Sequence, residues 1–349
     1  MPDTDEAVLS ALWLPLLSGE LAWPADGRVL FLNARAGAVL GRLAGIDLHC
    51  QQDFRPFATA LERMGLRVNE PAADARHALV VVWPPRQREA ARALFARAWR
   101  HCAAGGVVLA AAPNTQGARA AEADLARLAG PLRHLSKHKC RVFWNAPGAR
   151  PDPVLLADWL ALDAPRRNPA GFVSRPGLFA WDRVDPASAL LAETLPPTLA
   201  GEVADLGAGY GYLAVELIAR CPQLAAVDLY EADARALEPA RINVAEAMQA
   251  HGRSLRVSVY WHDVTAGLPR TYDAIVCNPP FHQGRADLPA LGQAFIRAAA
   301  DALRPQGQLW LVANRHLPYE ATLAARFADV RLLAERDGFK ALFAQGVRA

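Results

Sequence analysis

Val203-Ala204-Asp205-Leu206-Gly207-Ala208-Gly209-Tyr210-Gly211 is the stretch that decides the fold of the C-terminal half. The apolar run Val203 to Leu206 reads as a strand. It breaks into three glycines spaced by single residues, and Leu213 to Arg220 follows with helical spacing. A strand, a glycine turn and a helix in direct succession are the opening unit of an α/β sheet. Working outward, Leu224 to Tyr230 is a second predicted strand and Ala232 to Ala250 a helix. Leu255 to Tyr260 is a third strand, and Ala274 to Cys277 a fourth that stops at Asn278-Pro279-Pro280. Ala290 to Leu303 is a helix ended by Pro305 and Gly307, and Leu309 to Ala313 a fifth strand. The alternation predicts a parallel, doubly wound sheet.

The N-terminal half repeats this punctuation. Val29 to Leu32 runs into Asn33-Ala34-Arg35-Ala36-Gly37, and Ala78 to Val82 into Trp83-Pro84-Pro85. Gly105-Gly106 and a strand to Asn114 resemble Gly307 and a strand to Asn314, and Ser136 to Trp144 resembles Asp337 to Ala344. The shared order points to a duplicated fold. Prolines 147, 151, 153, 165, 169 and 176 mark a linker between the halves, with a helical turn at Val154 to Leu162. The expected division is 1–150, a Pro-rich linker 151–176, and 177–349. The 349 residues suit two domains.

Composition excludes several classes. The chain carries 38 basic against 35 acidic residues, so no strongly basic tail underlies any nucleic-acid binding. Five dispersed cysteines form no C-x-x-C, which argues against a zinc site or a disulfide framework. The acidic start (Asp3, Asp5, Glu6) and the absence of a long apolar run point to a cytoplasmic protein with no membrane partner and no metal.

The glycine loop allows backbone to approach a ligand closely, and the helix after it favours negative charge. The spacing is G-x-G-x-G, with Tyr212 after Gly211, so it departs from the dinucleotide pattern G-x-G-x-x-G. Asp205 opens the loop, and Gly207, Gly209 and Gly211 form it. Glu231, closing the second strand, can accept both ribose hydroxyls of an adenosine; Asp228 is its competitor. Asp263, after the third strand, can accept an adenine amino group, with the Val264 amide near the ring.

Asn278-Pro279-Pro280-Phe281 is the most specific motif. An exocyclic amine on a nucleobase is a weak nucleophile because its lone pair is delocalised. The Asn278 side-chain oxygen and the adjacent Pro279 carbonyl can both accept from such an amine and aim its lone pair at a methyl carbon. Consecutive prolines stiffen the loop, and Pro279 has no N–H to donate. Phe281 can stack on the base, and Pro280 and His282 complete the substrate-facing set.

These motifs, with Val312-Ala313-Asn314-Arg315-His316-Leu317-Pro318-Tyr319 and Gly177-Leu178-Phe179 followed by Asp185, Ser188 and Leu191, resemble the ribosomal RNA guanine-N2 methyltransferases of the RsmC/RlmG type. The resemblance implies two tandem class I (Rossmann-like) methyltransferase domains, the N-terminal one degenerate and serving RNA binding or scaffolding. It implies methyl transfer from S-adenosylmethionine to N2 of a guanosine in ribosomal RNA, free or in a subunit, with the small subunit favoured. Asp205, Gly207, Gly209, Gly211, Glu231, Asp263 and Val264 match cofactor positions, and Asn278 to Phe281 the amine site. Ala180 and His316 depart from the family pattern. In the N-terminal half Asn33 takes the place of the loop carboxylate, Trp83 that of Asn278 and Arg86 that of Phe281. Its basic run is His134, Lys137, His138, Lys139 and Arg141.

Other readings are an amino-methyltransferase acting on adenine N6 or a protein glutamine amide, an NAD(P)-dependent oxidoreductase, and a non-catalytic RNA-binding protein. The first shares the Asn-Pro-Pro-Phe chemistry. The glycine spacing opposes the second, and the intact C-terminal motifs oppose the third.

Overall fold

The computed structural model describes residues 4–348 except 281, 284, 285 and 288; the side chains of 4, 282, 283, 286 and 287 are also outside the description. The chain divides into two compact units, Met1–Ala164 and Pro165–Ala349.

In the N-terminal unit the strands are β1 (Arg28–Leu32), β2 (Asp47–Gln51), β3 (Arg67–Val68), β4 (His77–Val82), β5 (Cys102–Pro113), β6 (Leu132–Lys137) and β7 (Cys140–Asn145). They form one sheet of order β3-β2-β1-β4-β5-β7-β6. The C-terminal sheet is built from β8 (Ala200–Leu206), β9 (Gln223–Glu231), β10 (Arg256–Trp261), β11 (Tyr272–Cys277), β12 (Leu303–Asn314), β13 (Phe327–Arg336) and β14 (Phe339–Val347). Its order, β10-β9-β8-β11-β12-β14-β13, repeats the first strand for strand.

Neither sheet is wholly parallel, contrary to the sequence expectation. β14 runs antiparallel to β12, and β13 antiparallel to β14. β13 and β14 form a hairpin across the two-residue turn Asp337-Gly338, both at positive φ, and β14 lies between β12 and β13; periodicity alone carries no direction. Both sheets are covered on both faces. Val203 and Val276 face one cluster; Ala204, Leu206 and Cys277 face the other. This explains strands that read as continuous apolar runs.

The expected linker 151–176 is shared between the units. The helix Pro153–Ala161, capped by Asp152, buries Trp159 in the core beside Phe95 and Leu125. Residues 166–167 and 173–174 form a small hairpin, which Asn243 ties to the C-terminal unit. Its Oδ1 accepts from the Val173 amide and its Nδ2 donates to the Val173 carbonyl, both at 2.8 Å. Prolines at 151, 153, 165 and 169 break elements without excluding their packing. The helix predicted from Ala232 also begins later: Ala234–Ala236 is a 3₁₀ turn capped by Asp233, and the α-helix is Leu237–Ala250.

Candidate active site

The carboxyl edge of the C-terminal sheet gathers the sequence motifs. Gly207, Gly209 and Gly211 have φ of +73°, +55° and +88°, the left-handed region that favours glycine. The Gly207 and Ala208 amides donate to the Tyr230 carbonyl at 2.9 and 3.1 Å, which fixes the loop beside the end of β9. A side chain on Gly209 would meet nothing within 4 Å, so open space lies over that backbone. Gly207 is next to the amine loop: a Cβ there would lie 3.8 Å from the Asn278 carbonyl oxygen.

Asp205 is fully buried, and neither carboxylate oxygen has a hydrogen-bond partner of normal geometry. Burial pushes its pKa up to about 7; the Ala214 amide opposes the shift and the charge of Glu231 adds to it. Glu231 closes β9. Its Oε2 accepts from the Gly209 amide and its Oε1 from the Asp233 amide, each at 2.7 Å. Desolvation raises its pKa against the pull of these amides. A carboxylate has about four acceptor sites, so these two bonds leave capacity for hydroxyl donors.

Asp228 is committed elsewhere. It lies fully buried inside β9, ion-paired to Arg256 at 2.9 Å and Arg270 at 3.1 Å, and it accepts from the Tyr272 hydroxyl at 3.0 Å. It lies three residues before the end of the strand that Glu231 closes. Asp263 caps the 3₁₀ turn Val264–Ala266, and its Oδ1 accepts from the Thr265 amide and hydroxyl at 2.9 and 2.6 Å. Val264 is buried. The His262 amide donates to the Glu231 carbonyl at 2.9 Å, which brings the Asp263 turn beside the end of β9.

Asn278 follows β11 directly. Its Nδ2 donates to Asp185 Oδ2 at 3.0 Å and to Ser188 Oγ at 2.8 Å. Pro279 is buried and Pro280 exposed. Phe281 and the side chain of His282 lie outside the described residues. The resemblance places Asp185 and Ser188 in a segment that leads into the catalytic domain and covers the cofactor, and gives them no part at Asn278. A signal existed, an Asp-Pro-x-Ser helix start, but nothing in it names a partner so far along the chain.

The segment Val312 to Tyr319 is held by packing and by a buried lysine. Tyr319 is fully buried and occupies the space left by Gly292, where a Cβ would fall 1.9 Å from the Tyr319 hydroxyl. Buried Lys340 donates to the Leu317 carbonyl at 2.8 Å.

The N-terminal unit keeps the paired prolines, Pro84-Pro85 for Pro279-Pro280, but differs at the positions of Asp205, Glu231 and Asn278. Leu32 pairs with Val82 as Leu206 pairs with Cys277, and Leu32 with Gln51 as Leu206 with Tyr230. This register puts Phe31, not Asn33, at the position of Asp205. Asn33 corresponds to Gly207: β1 ends at Leu32 as expected, but Asp205 lies inside β8, so its counterpart is the penultimate strand residue Phe31. The same register sets Gln52 at Glu231 and Trp83 at Asn278. Phe31 packs edge-on against Trp13. Gln52 accepts from the Phe54 amide at 2.8 Å, as Glu231 does from Asp233, but its Nε2 donates to the Ala34 carbonyl at 2.6 Å. The Arg35 guanidinium fills the space between the loops. It donates to the Asn33 and Ala34 carbonyls and lies 3.9 Å from the Phe57 ring centroid.

A glycine loop, a carboxylate closing the next strand, and an Asn-Pro-Pro loop on one seven-stranded sheet define a class I S-adenosylmethionine-dependent methyltransferase. The model of the methyltransferase small domain family matches residues 169–343. Ribosomal RNA small subunit methyltransferase C of Shewanella sp. (strain MR-4) is 30% identical over 326 residues, covering 90% of this chain and 92% of the relative. Its counterpart in Shewanella sp. (strain MR-7) is 29% identical with the same coverage. The T. thermophilus 16S rRNA N2 G1207 methyltransferase, solved with AdoMet and guanosine, is 29% identical and aligns with a TM-score of 0.79 over 99% of this chain and 93% of its own. The chain belongs to the ribosomal RNA small subunit methyltransferase C family.

Proposed function

We propose that this protein methylates the exocyclic N2 amine of a guanosine in small-subunit ribosomal RNA, using S-adenosylmethionine, in the cytoplasm. One observation carries the reading. The glycine loop and Asn278 meet at one sheet edge, in a chain that aligns along its length with a methyltransferase bound to AdoMet and guanosine. That guanosine favours guanine over adenine N6 or a glutamine amide.

The residues present fit the cofactor: open space over Gly209, spare acceptor capacity on Glu231, and an orphaned buried carboxylate at Asp205. Glu231 would hold the ribose hydroxyls, and Asp263 with the Val264 amide the adenine. Gly207, Gly209 and Gly211 would let backbone approach the amino-acid end, with Asp205 beneath. When bound, S-adenosylmethionine supplies an electrophilic methyl carbon on a sulfonium leaving group. Asn278 Oδ1 and the Pro279 carbonyl accept from the target amine and turn its lone pair toward that carbon. Pro280, Phe281 and His282 are the proposed substrate-binding residues, the last two on sequence grounds alone, and the base would have to leave its stack to reach the Asn278 loop. Catalysis here is positioning by preorganised dipoles.

The N-terminal unit is non-catalytic in this reading and engages RNA. Lys137, His138 and Lys139 are exposed at the β6–β7 turn, whereas His134 and Arg141 of the same run pair with Glu122. Phosphate contacts from the turn would position the RNA without reading its sequence.

The test is methylation of small-subunit rRNA from a strain lacking this protein, with the product nucleoside mapped by mass spectrometry. N2-methylguanosine at one site is expected. N6-methyladenosine, or no RNA product, would overturn the reading.

A further inference from the structure

We infer that Asp185 and Ser188 are positioning residues that lock the polarity of the Asn278 carboxamide, so that its oxygen alone faces the target amine. The inference rests on the reading of Asn278 as the amine acceptor.

The two ends of an Asn carboxamide are alike in shape and opposite in hydrogen-bonding character. Only Oδ1 can accept from an amine; a flipped side chain would present N–H donors to N–H donors. Here both Nδ2 hydrogens are engaged, one by Asp185 Oδ2 at 3.0 Å and one by Ser188 Oγ at 2.8 Å. A carboxylate accepts and never donates. Flipping Asn278 would therefore set its oxygen against that of Asp185 at hydrogen-bond distance, and that contact is repulsive. Among the described residues Oδ1 has no partner.

The clamp is itself held rigidly. Asp185 is the N-cap of the helix Pro186–Thr194, and its Oδ2 accepts from the Ser188 amide at 2.9 Å. That oxygen thus faces two N–H donors, the Ser188 amide and the Asn278 carboxamide. Pro186 at the first helical position presets the backbone. One helix start thus supplies both acceptors, from its cap and its third residue. The segment before it is tied to the glycine loop as well: the Tyr210 hydroxyl donates to the Arg183 carbonyl at 2.9 Å. Residues 183–188 therefore hold the cofactor loop and the amine loop in one frame. The clamp also explains why position 278 holds Asn rather than Asp, since a carboxylate there would face Asp185.

Single-turnover methylation of unmodified small-subunit rRNA at saturating cofactor tests this, with cofactor affinity measured by calorimetry on each variant. Asp185→Ser keeps a helix cap but shortens the arm that reaches Asn278. Its rate is expected to fall by about 10²-fold, the scale of a misplaced reacting group, with cofactor affinity within about threefold. Asp185→Asn keeps both cap and acceptor and is expected to run about tenfold faster than Asp185→Ser. Asn278→Asp is expected to be nearly inactive, and pairing it with Asp185→Asn to recover at least about tenfold by restoring a donor–acceptor pair across the clamp. Asp185→Ser at wild-type rate, or no recovery in the pair, would overturn the clamp. Should Asn278→Ala also turn over at the wild-type rate, the amine-site reading itself fails. An inactive Asn278→Ala beside a fully active Asp185→Ser sinks only the clamp.

Discussion

The two units share a strand order and differ in what stands at the carboxyl edge. The C-terminal unit keeps a buried unpaired carboxylate at Asp205, an anionic acceptor at Glu231 and a small acceptor at Asn278. The N-terminal unit has Phe31, Gln52 and Trp83 at those places and an internal guanidinium between its loops. A site that binds a ligand leaves polar groups incompletely satisfied, because the ligand is their partner. Released from that demand, the same frame has closed its polar groups on one another and replaced a buried charge with a ring. Unsatisfied burial is costly, and its persistence at Asp205 and absence at Phe31 support the C-terminal edge as the candidate site.

The largest expected effect separates Asn278 from Trp83. Asn278→Ala should lower the single-turnover rate by about 10²–10³-fold, the loss seen when one preorganised contact is removed, with cofactor affinity nearly unchanged. Trp83→Ala should leave the rate of chemistry within a small factor. A comparable rate loss in both would break the distinction between the units.

The carboxylates come next. Glu231→Ala should weaken S-adenosylmethionine binding by about 1.5–3 kcal/mol, the worth of hydrogen bonds to a charged group. Gln52→Ala should not change it. Calorimetry on the full chain should give one cofactor per molecule, and a second site of similar affinity would remove the contrast.

Stability should respond to pH in opposite senses at Asp205 and at three histidines of the N-terminal unit. Asp205 has its pKa raised from 3.8 to about 7 in the folded protein. The folded state therefore holds this proton more tightly, and its stabilising effect is lost as pH rises from about 4 to 7. The slope is at most about 1.4 kcal/mol per pH unit. Asp205→Asn should flatten that slope in the cofactor-free protein. In the N-terminal unit, desolvation is the main cause lowering the pKa of His49, His77 and His101 below 6.5. These rings fold neutral, so their contribution is present above about 6.5 and is lost on acidification below it. Hydrogen exchange followed by peptide should show the N-terminal core loosening first in acid. Equal loosening of both units would contradict the assignment.

The smallest expected effect concerns the basic turn. Replacing Lys137 and Lys139 with Ala should weaken RNA binding modestly and lower the salt dependence of binding by about one unit of slope per lost phosphate contact. The methylation rate at saturating RNA should hold. An unchanged salt slope would move the RNA contact elsewhere.

Much of this was legible in the chain itself. The strand–glycine–helix succession at Val203 to Arg220 and the Asn-Pro-Pro loop name their geometry through local rules: positive φ at glycine, no donor at proline, apolar runs buried on both faces. These depend on neighbours in sequence, so the sequence determined the α/β class and the duplication, and it put forward Asp205, Glu231, Asp263 and Asn278 as candidates. What depends on long-range pairing was decided only in three dimensions. The pairing of β14 with β12, the equivalence of Phe31 rather than Asn33 to Asp205, and the packing of residues 151–164 and 165–176 each onto its own unit follow from register. Register is fixed by contacts between distant residues, and punctuation locates it only to within a residue or two. The tie of Asn278 to Asp185 and Ser188 is the clearest instance. The motif at 278 announces an acceptor, but an amide has two ends, and only the helix cap folded against it decides which end faces the substrate.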